Sequence, residues 1–144
     1  MHSETDKIAE SLRISQMAHY ACAERYQLKH SLVGGSAVVL TTVTSALTFF
    51  DAKSVSPQLI YLIPLLGVLS AVLVAVQTFS RFLERYEAHR IAAVNYGTLQ
   101  RRLSYGQVQD AKEILKEWED VSSRSPVTPT KVRDISKRKM KGEG

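Results

Sequence analysis

The chain has 144 residues, of which 23% are charged and 44% hydrophobic, and a formal net charge of +5, a length that excludes more than one ordinary domain. Its single cysteine, Cys22, excludes an intrachain disulfide and accords with a reducing compartment. Mean hydropathy is -0.11, but that average joins two strongly apolar stretches to polar ends, and charge is equally uneven. Residues 1–121 hold 12 Lys/Arg and 12 Asp/Glu, whereas residues 122–144 hold 7 and 2.

Residues 1–30 read as an N-terminal cytoplasmic helix. Ile8, Leu12, Ser15, His19, Cys22 and Tyr26 recur at alternating four- and three-residue spacing, a weak apolar stripe that can run straight into the next segment. Ser31 to Phe50 then gives twenty residues without a charge, the first predicted transmembrane helix (31–50), and Ser54 to Ser80 gives twenty-seven, containing the second (59–80). Both exceed the roughly 18 residues needed to cross a bilayer. Leu59 to Phe79 has thirteen Leu, Ile, Val or Phe residues and inserts unaided; Ser31 to Phe50 has nine, with Gly34, Gly35, Ser36, Thr41, Thr42, Thr44, Ser45 and Thr48 among them. That polar span is expected to enter as one arm of a hairpin and to need a neighbour.

Arg13, Arg25 and Lys29 precede the first span and Arg81, Arg85 and Arg90 follow the second, whereas the connector (51–58) offers Lys53 alone. Positively charged flanks stay inside, so both termini are expected in the cytoplasm and the connector in the periplasm. Pro57 suits a first helical turn, and Pro64 is expected to bend the second span.

The cytoplasmic helical region (81–121) is predicted to begin as an unbroken continuation of the second span. Phe82, Tyr86, Ala93, Tyr96, Leu99 and Leu103 mark its stripe, and no turn signal comes before Tyr105-Gly106. A helix over 59–104 would be about 69 Å long against a hydrocarbon core of roughly 30 Å. An amphipathic helix over Gln107 to Val121 follows, with Val108, Ala111, Ile114, Leu115 and Trp118 on one side, expected to fold back so that Trp118 packs in a core. The basic tail (122–144) contains Ser125-Pro126 and Thr128-Pro129, which no helix crosses. Its expected state is a solvated, frayed terminus; the alternative is anionic lipid binding through Lys137, Arg138, Lys139 and Lys141. With no aromatic residue among these bases, nucleic acid is not an expected partner.

No catalytic or metal-binding motif emerges. His2, His19, His30 and His89 lack paired ligand spacing along the chain, Cys22 has no partner cysteine, and Gly34-Gly35 lies in an apolar helix rather than a phosphate loop. An enzyme is not expected, nor is a cofactor.

Several segments together resemble a known family. They are Tyr26-Gln-Leu-Lys-His30 before a polar first span, then Glu84-Arg-Tyr-Glu-Ala-His-Arg90, Ala92-Ala-Val-Asn-Tyr96, Leu99, Arg101-Arg102 and Ser125-Pro126. The order is similar to that of the SLATT family, the two-transmembrane effector domain associated with prokaryotic nucleotide-second-messenger synthases and SLOG-type sensors. Tyr26, His30, His89 and Tyr96 carry the match, and the stretch holding Glu87, His89 and Tyr96 is its most specific part. The resemblance implies a bacterial anti-phage effector that assembles in the inner membrane and permeabilises it when triggered. It also implies a cytoplasmic synthase or sensor, or the nucleotide itself, as partner, beside membrane lipid and further copies of the chain.

The expected architecture is therefore an all-α membrane protein, a two-transmembrane hairpin with cytoplasmic helical extensions that forms oligomers. Gly34, Val38, Thr41, Ser45 and Thr48 form one small, partly hydroxylated face that can line a pore or pack on a neighbour, and Gly67, Ala71 and Ala75 form a small-residue row on the second span. Ser and Thr can equally bond their own i-4 carbonyls in ordinary packing. Glu84, Arg85, Glu87, His89 and Arg90 lie at the predicted cytoplasmic mouth, where they can form a charged ring across subunits or a solvated helix face. His89 is expected to meet a carboxylate such as Glu24. A membrane tether that recruits a cytoplasmic partner is the alternative function; a transporter is disfavoured because neither span holds an ionisable residue.

Overall fold

A computed structural model describes residues 4–48, 57–105 and 111–142. All regular structure among them is α-helical: α1 (Glu4–Thr48), α2 (Pro57–Ser80), α3 (Phe82–Ser104), α4 (Ala111–Arg124) and α5 (Thr130–Met140). The connector residues 51–56 and the proposed helix start at 107–110 lie outside the described residues. Contacts divide the chain into one unit of residues 1–26 and 84–144 and another of residues 27–83.

The unit of residues 27–83 is the apolar hairpin. No proline occurs before Pro57 to interrupt α1, and Glu4 and Asp6 in its first turn suit the positive end of the helix dipole. Pro57 opens α2, where its missing N–H costs nothing, and Pro64 lies inside that helix. Both helices are long and apolar enough to cross a membrane, and in each only 6% of the apolar window is buried within the chain. Leu32, Val39, Val43, Leu65, Val68, Leu69, Val72 and Phe79 are all exposed, a surface far larger than a soluble monomer presents to water. Covered positions recur at heptad-like spacing: Val33, Ala37, Leu40, Thr44 and Leu47 on α1, and Ile63, Leu66, Ser70, Leu73 and Gln77 on α2. At Gly34 an added Cβ would lie 2.8 Å from Gln77 Nε2, so the helices approach most closely where α1 lacks a side chain.

The unit of residues 1–26 and 84–144 has an ordinary core. Ile8 and Leu12 of α1, Ala92, Tyr96 and Leu99 of α3 and Ile114 of α4 form its largest cluster, with Leu103, Trp118 and Val121 packed against it. Leu12 and Ile114 are fully buried, each contributing about 1.5–3 kcal/mol of transfer free energy. Arg102 of α3 forms an ion pair with Glu117 of α4. The α1 and α3 stripes and the inward Trp118 expected from spacing are all present.

Two expectations fail. The second span does not continue unbroken, because α2 ends at Ser80 and α3 starts at Phe82, with Arg81 between them at φ +47. A non-glycine residue in the left-handed region costs about 1–2 kcal/mol. Neither glycine nor proline marks the position, which is why periodicity carries straight across it. The tail also is not frayed: α4 continues to Arg124, and after the extended stretch at Pro126–Pro129 the chain forms α5, whose Val132 is buried against Ala18 and Cys22 of α1. The prolines bound this helix as expected. Val132 and Ser136, four residues apart, are its buried positions, too short a pattern to stand out among the five basic residues of the helix.

Candidate functional site

Small residues bring α1 and α3 together. Ala92 of α3 is buried in one cluster with Ile8 and Leu12 of α1, and a Cβ on Gly97 would collide with the Gln16 side chain. Such close approach lets rings on the two helices meet directly. His19 and Tyr26 are seven residues apart on α1, and His89 and Tyr96 seven apart on α3, so each pair spans two helical turns on one face.

The four rings form a continuous row of contacts, two stacked pairs joined by a tilted His19–His89 contact with centroids 5.2 Å and planes 44° apart. Tyr96 lies on His19 with centroids 5.3 Å apart and planes 25° apart. His19 Nδ1 is 3.0 Å from His89 Nδ1. His89 in turn stacks on Tyr26 at 5.6 Å and 17°, and the Arg85 guanidinium stands 5.9 Å from the centre of the Tyr26 ring, within reach of a cation–π interaction. Both imidazoles are 4% exposed. Burial, reinforced by the neighbouring His89, pushes His19 down to about 4, and burial lowers His89 as well. The pair is therefore neutral at physiological pH. Only one proton fits between the two Nδ1 atoms, so one ring donates and the other accepts.

The predicted site residues separate into different surroundings. Tyr26, His89 and Tyr96 come together, and His19 joins them. His30 lies in the hairpin unit instead. Glu84, Arg85, Glu87 and Arg90 are exposed, whereas His89 points into the α1 interface, so these five do not share one face. The partner of His89 is His19 and not Glu24, which is exposed. The matched seven-residue spacings held the signal for this pairing.

On the hairpin, Val38, Thr41, Ser45 and Thr48 form an exposed face beside the α2 contact, with Gly34 at its edge. Thr41 Oγ1 donates to the Ala37 carbonyl at 2.8 Å, and Thr48 Oγ1 to the Ser45 carbonyl at 2.6 Å. Gly67 has no atom within 4 Å of an added Cβ, and Ala71 and Ala75 are exposed, so this row faces outward from the chain.

Two depressions flank the imidazoles. One, of about 520 Å³, lies among α1, α3, α4 and the stretch before α5, and is lined by His19, Tyr96, Trp118, Glu119, Ser122 and Arg133 among others. The second, of about 460 Å³, includes Tyr26, Glu84, Arg85 and His89. Among the described residues no group of three or more His, Cys, Asp or Glu side chains is placed to hold a metal ion. Comparison with known proteins finds no family model, no curated protein and no solved structure that matches this chain.

Proposed function

We propose that this chain is a prokaryotic SLATT-like effector that oligomerises in the inner membrane, both termini in the cytoplasm, and permeabilises it when an anti-phage nucleotide-signalling system triggers it. The observation that carries the reading is the exposed face Val38, Thr41, Ser45 and Thr48, left uncovered beside the contact between α1 and α2. Hydroxyl-bearing and small side chains are poor choices for lipid alone but suit contact with another copy or with a water-filled lumen. The outward row Gly67, Ala71 and Ala75 offers a second surface for close helix approach.

A second reading, a membrane tether that recruits a cytoplasmic partner, draws support from the hydroxyls themselves. Thr41, Thr42 and Thr44 each donate to the carbonyl four residues earlier, which satisfies them without water. Membrane potential distinguishes the two. In cells carrying the trigger, wild type should depolarise a voltage-sensitive dye, while a Thr41→Leu, Ser45→Leu double variant of equal membrane abundance should not, because two added apolar side chains favour a dewetted constriction. Depolarisation at the wild-type rate by the double variant would remove this face as the lining; no depolarisation by wild type would leave the tether.

A further inference from the structure

The cavity of about 520 Å³ beside His19 has the size of a small-molecule site, roughly 300–1,000 Å³. Its walls combine three kinds of chemistry. Tyr96, stacked on His19, and Trp118 supply ring surfaces; Ser122 and Thr128 supply hydroxyls; Arg133 on α5 supplies a cation. Glu119 opposes it on α4. Among the described residues, every buried side-chain nitrogen or oxygen has a hydrogen-bond partner. His19 bonds through Nδ1 and lines the cavity, and among the described residues no hydrogen bond engages its Nε2, which leaves that atom for a ligand.

We propose that this cavity binds a small organic anion with a planar ring, its ring against Trp118 and Tyr96, its charge on Arg133 and on His19 Nε2–H, and that binding fixes the tautomers of both histidines. The anionic group can only accept, so His19, where that group meets it, must carry its proton on Nε2 and present a lone pair at Nδ1. His89 must then donate from Nδ1 across the 3.0 Å contact and hold its own lone pair at Nε2. His89 lines the second cavity, beside Tyr26 and Arg85. Occupancy on one side of the pair thus sets the donor or acceptor character offered on the other, with no net charge entering the core. The inference rests on the cytoplasmic unit alone and holds whether or not the chain permeabilises membranes.

The test uses the full chain in detergent, with adenosine monophosphate as the test compound because it joins a planar ring, hydroxyls and an anion at a fitting size. Trp118, the single tryptophan, reports directly. Saturable quenching of its fluorescence is expected, with adenosine and inorganic phosphate each binding at least about tenfold more weakly. Arg133→Gln, an exposed substitution, should weaken binding about tenfold through loss of a charge-assisted contact, and Glu119→Gln should strengthen it. With 15N-histidine labelling, bound protein should show His89 as the Nδ1–H tautomer. No saturable quenching, equal binding of inorganic phosphate, or unchanged affinity in Arg133→Gln would overturn the site; binding that leaves His89 with its proton on Nε2 would overturn the tautomer coupling.

Discussion

Gly34 of α1 sits so close to Gln77 of α2 that one added carbon would lie 2.8 Å from the side-chain amide nitrogen. The contact belongs to the hairpin of a single chain, whereas Gly67 has no neighbour within 4 Å of an added Cβ. The two glycines therefore answer different questions.

Gly34→Leu should destabilise the hairpin by about 1–3 kcal/mol through overpacking, measured by thermal unfolding in detergent. Gly67→Leu should leave that unfolding unchanged and, if the row at Gly67, Ala71 and Ala75 joins copies, shift the extracted protein to smaller species in sedimentation. An unaltered distribution, with wild type oligomeric, would remove this row from the interface.

The histidine pair makes stability depend on pH. His19 is lowered in the folded chain from 6.5 to about 4, so the unfolded chain binds more protons between those values. Stability is complete above about 6.5 and falls as pH drops toward 4, by at most on the order of 3 kcal/mol. Melting followed by Trp118 fluorescence should show this slope, and His19→Phe should flatten it. An equal slope in the variant would assign the proton uptake elsewhere.

Val132→Asp should release α5. It places a charge where the side chain is 2% exposed, and burying an unpaired carboxylate costs several kcal/mol, more than one short helix gains from a single hydrophobic contact. Limited proteolysis should cut the variant between Arg124 and Lys139 while sparing wild type. Resistance in both would mean that Val132 does not anchor the helix.

Topology is checked with single cysteines at positions 54 and 122 in a Cys22→Ala background. On intact spheroplasts, an impermeant thiol reagent should label position 54 and spare position 122, an exposed serine in the wild type. The opposite pattern would reverse the orientation.

Much of the fold was legible because hydrophobic period and charge carry it. The two long apolar helices follow from their uncharged runs, and the α1 stripe from Ile8 to Tyr26, the α3 stripe through Tyr96 and Leu99 and the inward Trp118 follow from 3.6-residue spacing. Three features were not. The break at Arg81 has no local signature, since left-handed conformation there falls on an arginine rather than a glycine. α5 hides its buried side under a run of basic residues. The encounter of His19 with His89 joins positions seventy residues apart, and its clue, equal spacing to a tyrosine on each helix, gains meaning only once the helices lie side by side.

Cys22 lies beneath Val132, with Ala18 beside it, and burial raises its thiol above the ordinary range despite the nearby Arg25. A thiol that is both covered and protonated reacts slowly, because only the thiolate attacks. Its modification must therefore wait for α5 to lift. The rate of that reaction becomes a built-in clock for helix opening, readable in wild-type protein inside living cells, without a label, a fusion or a substitution.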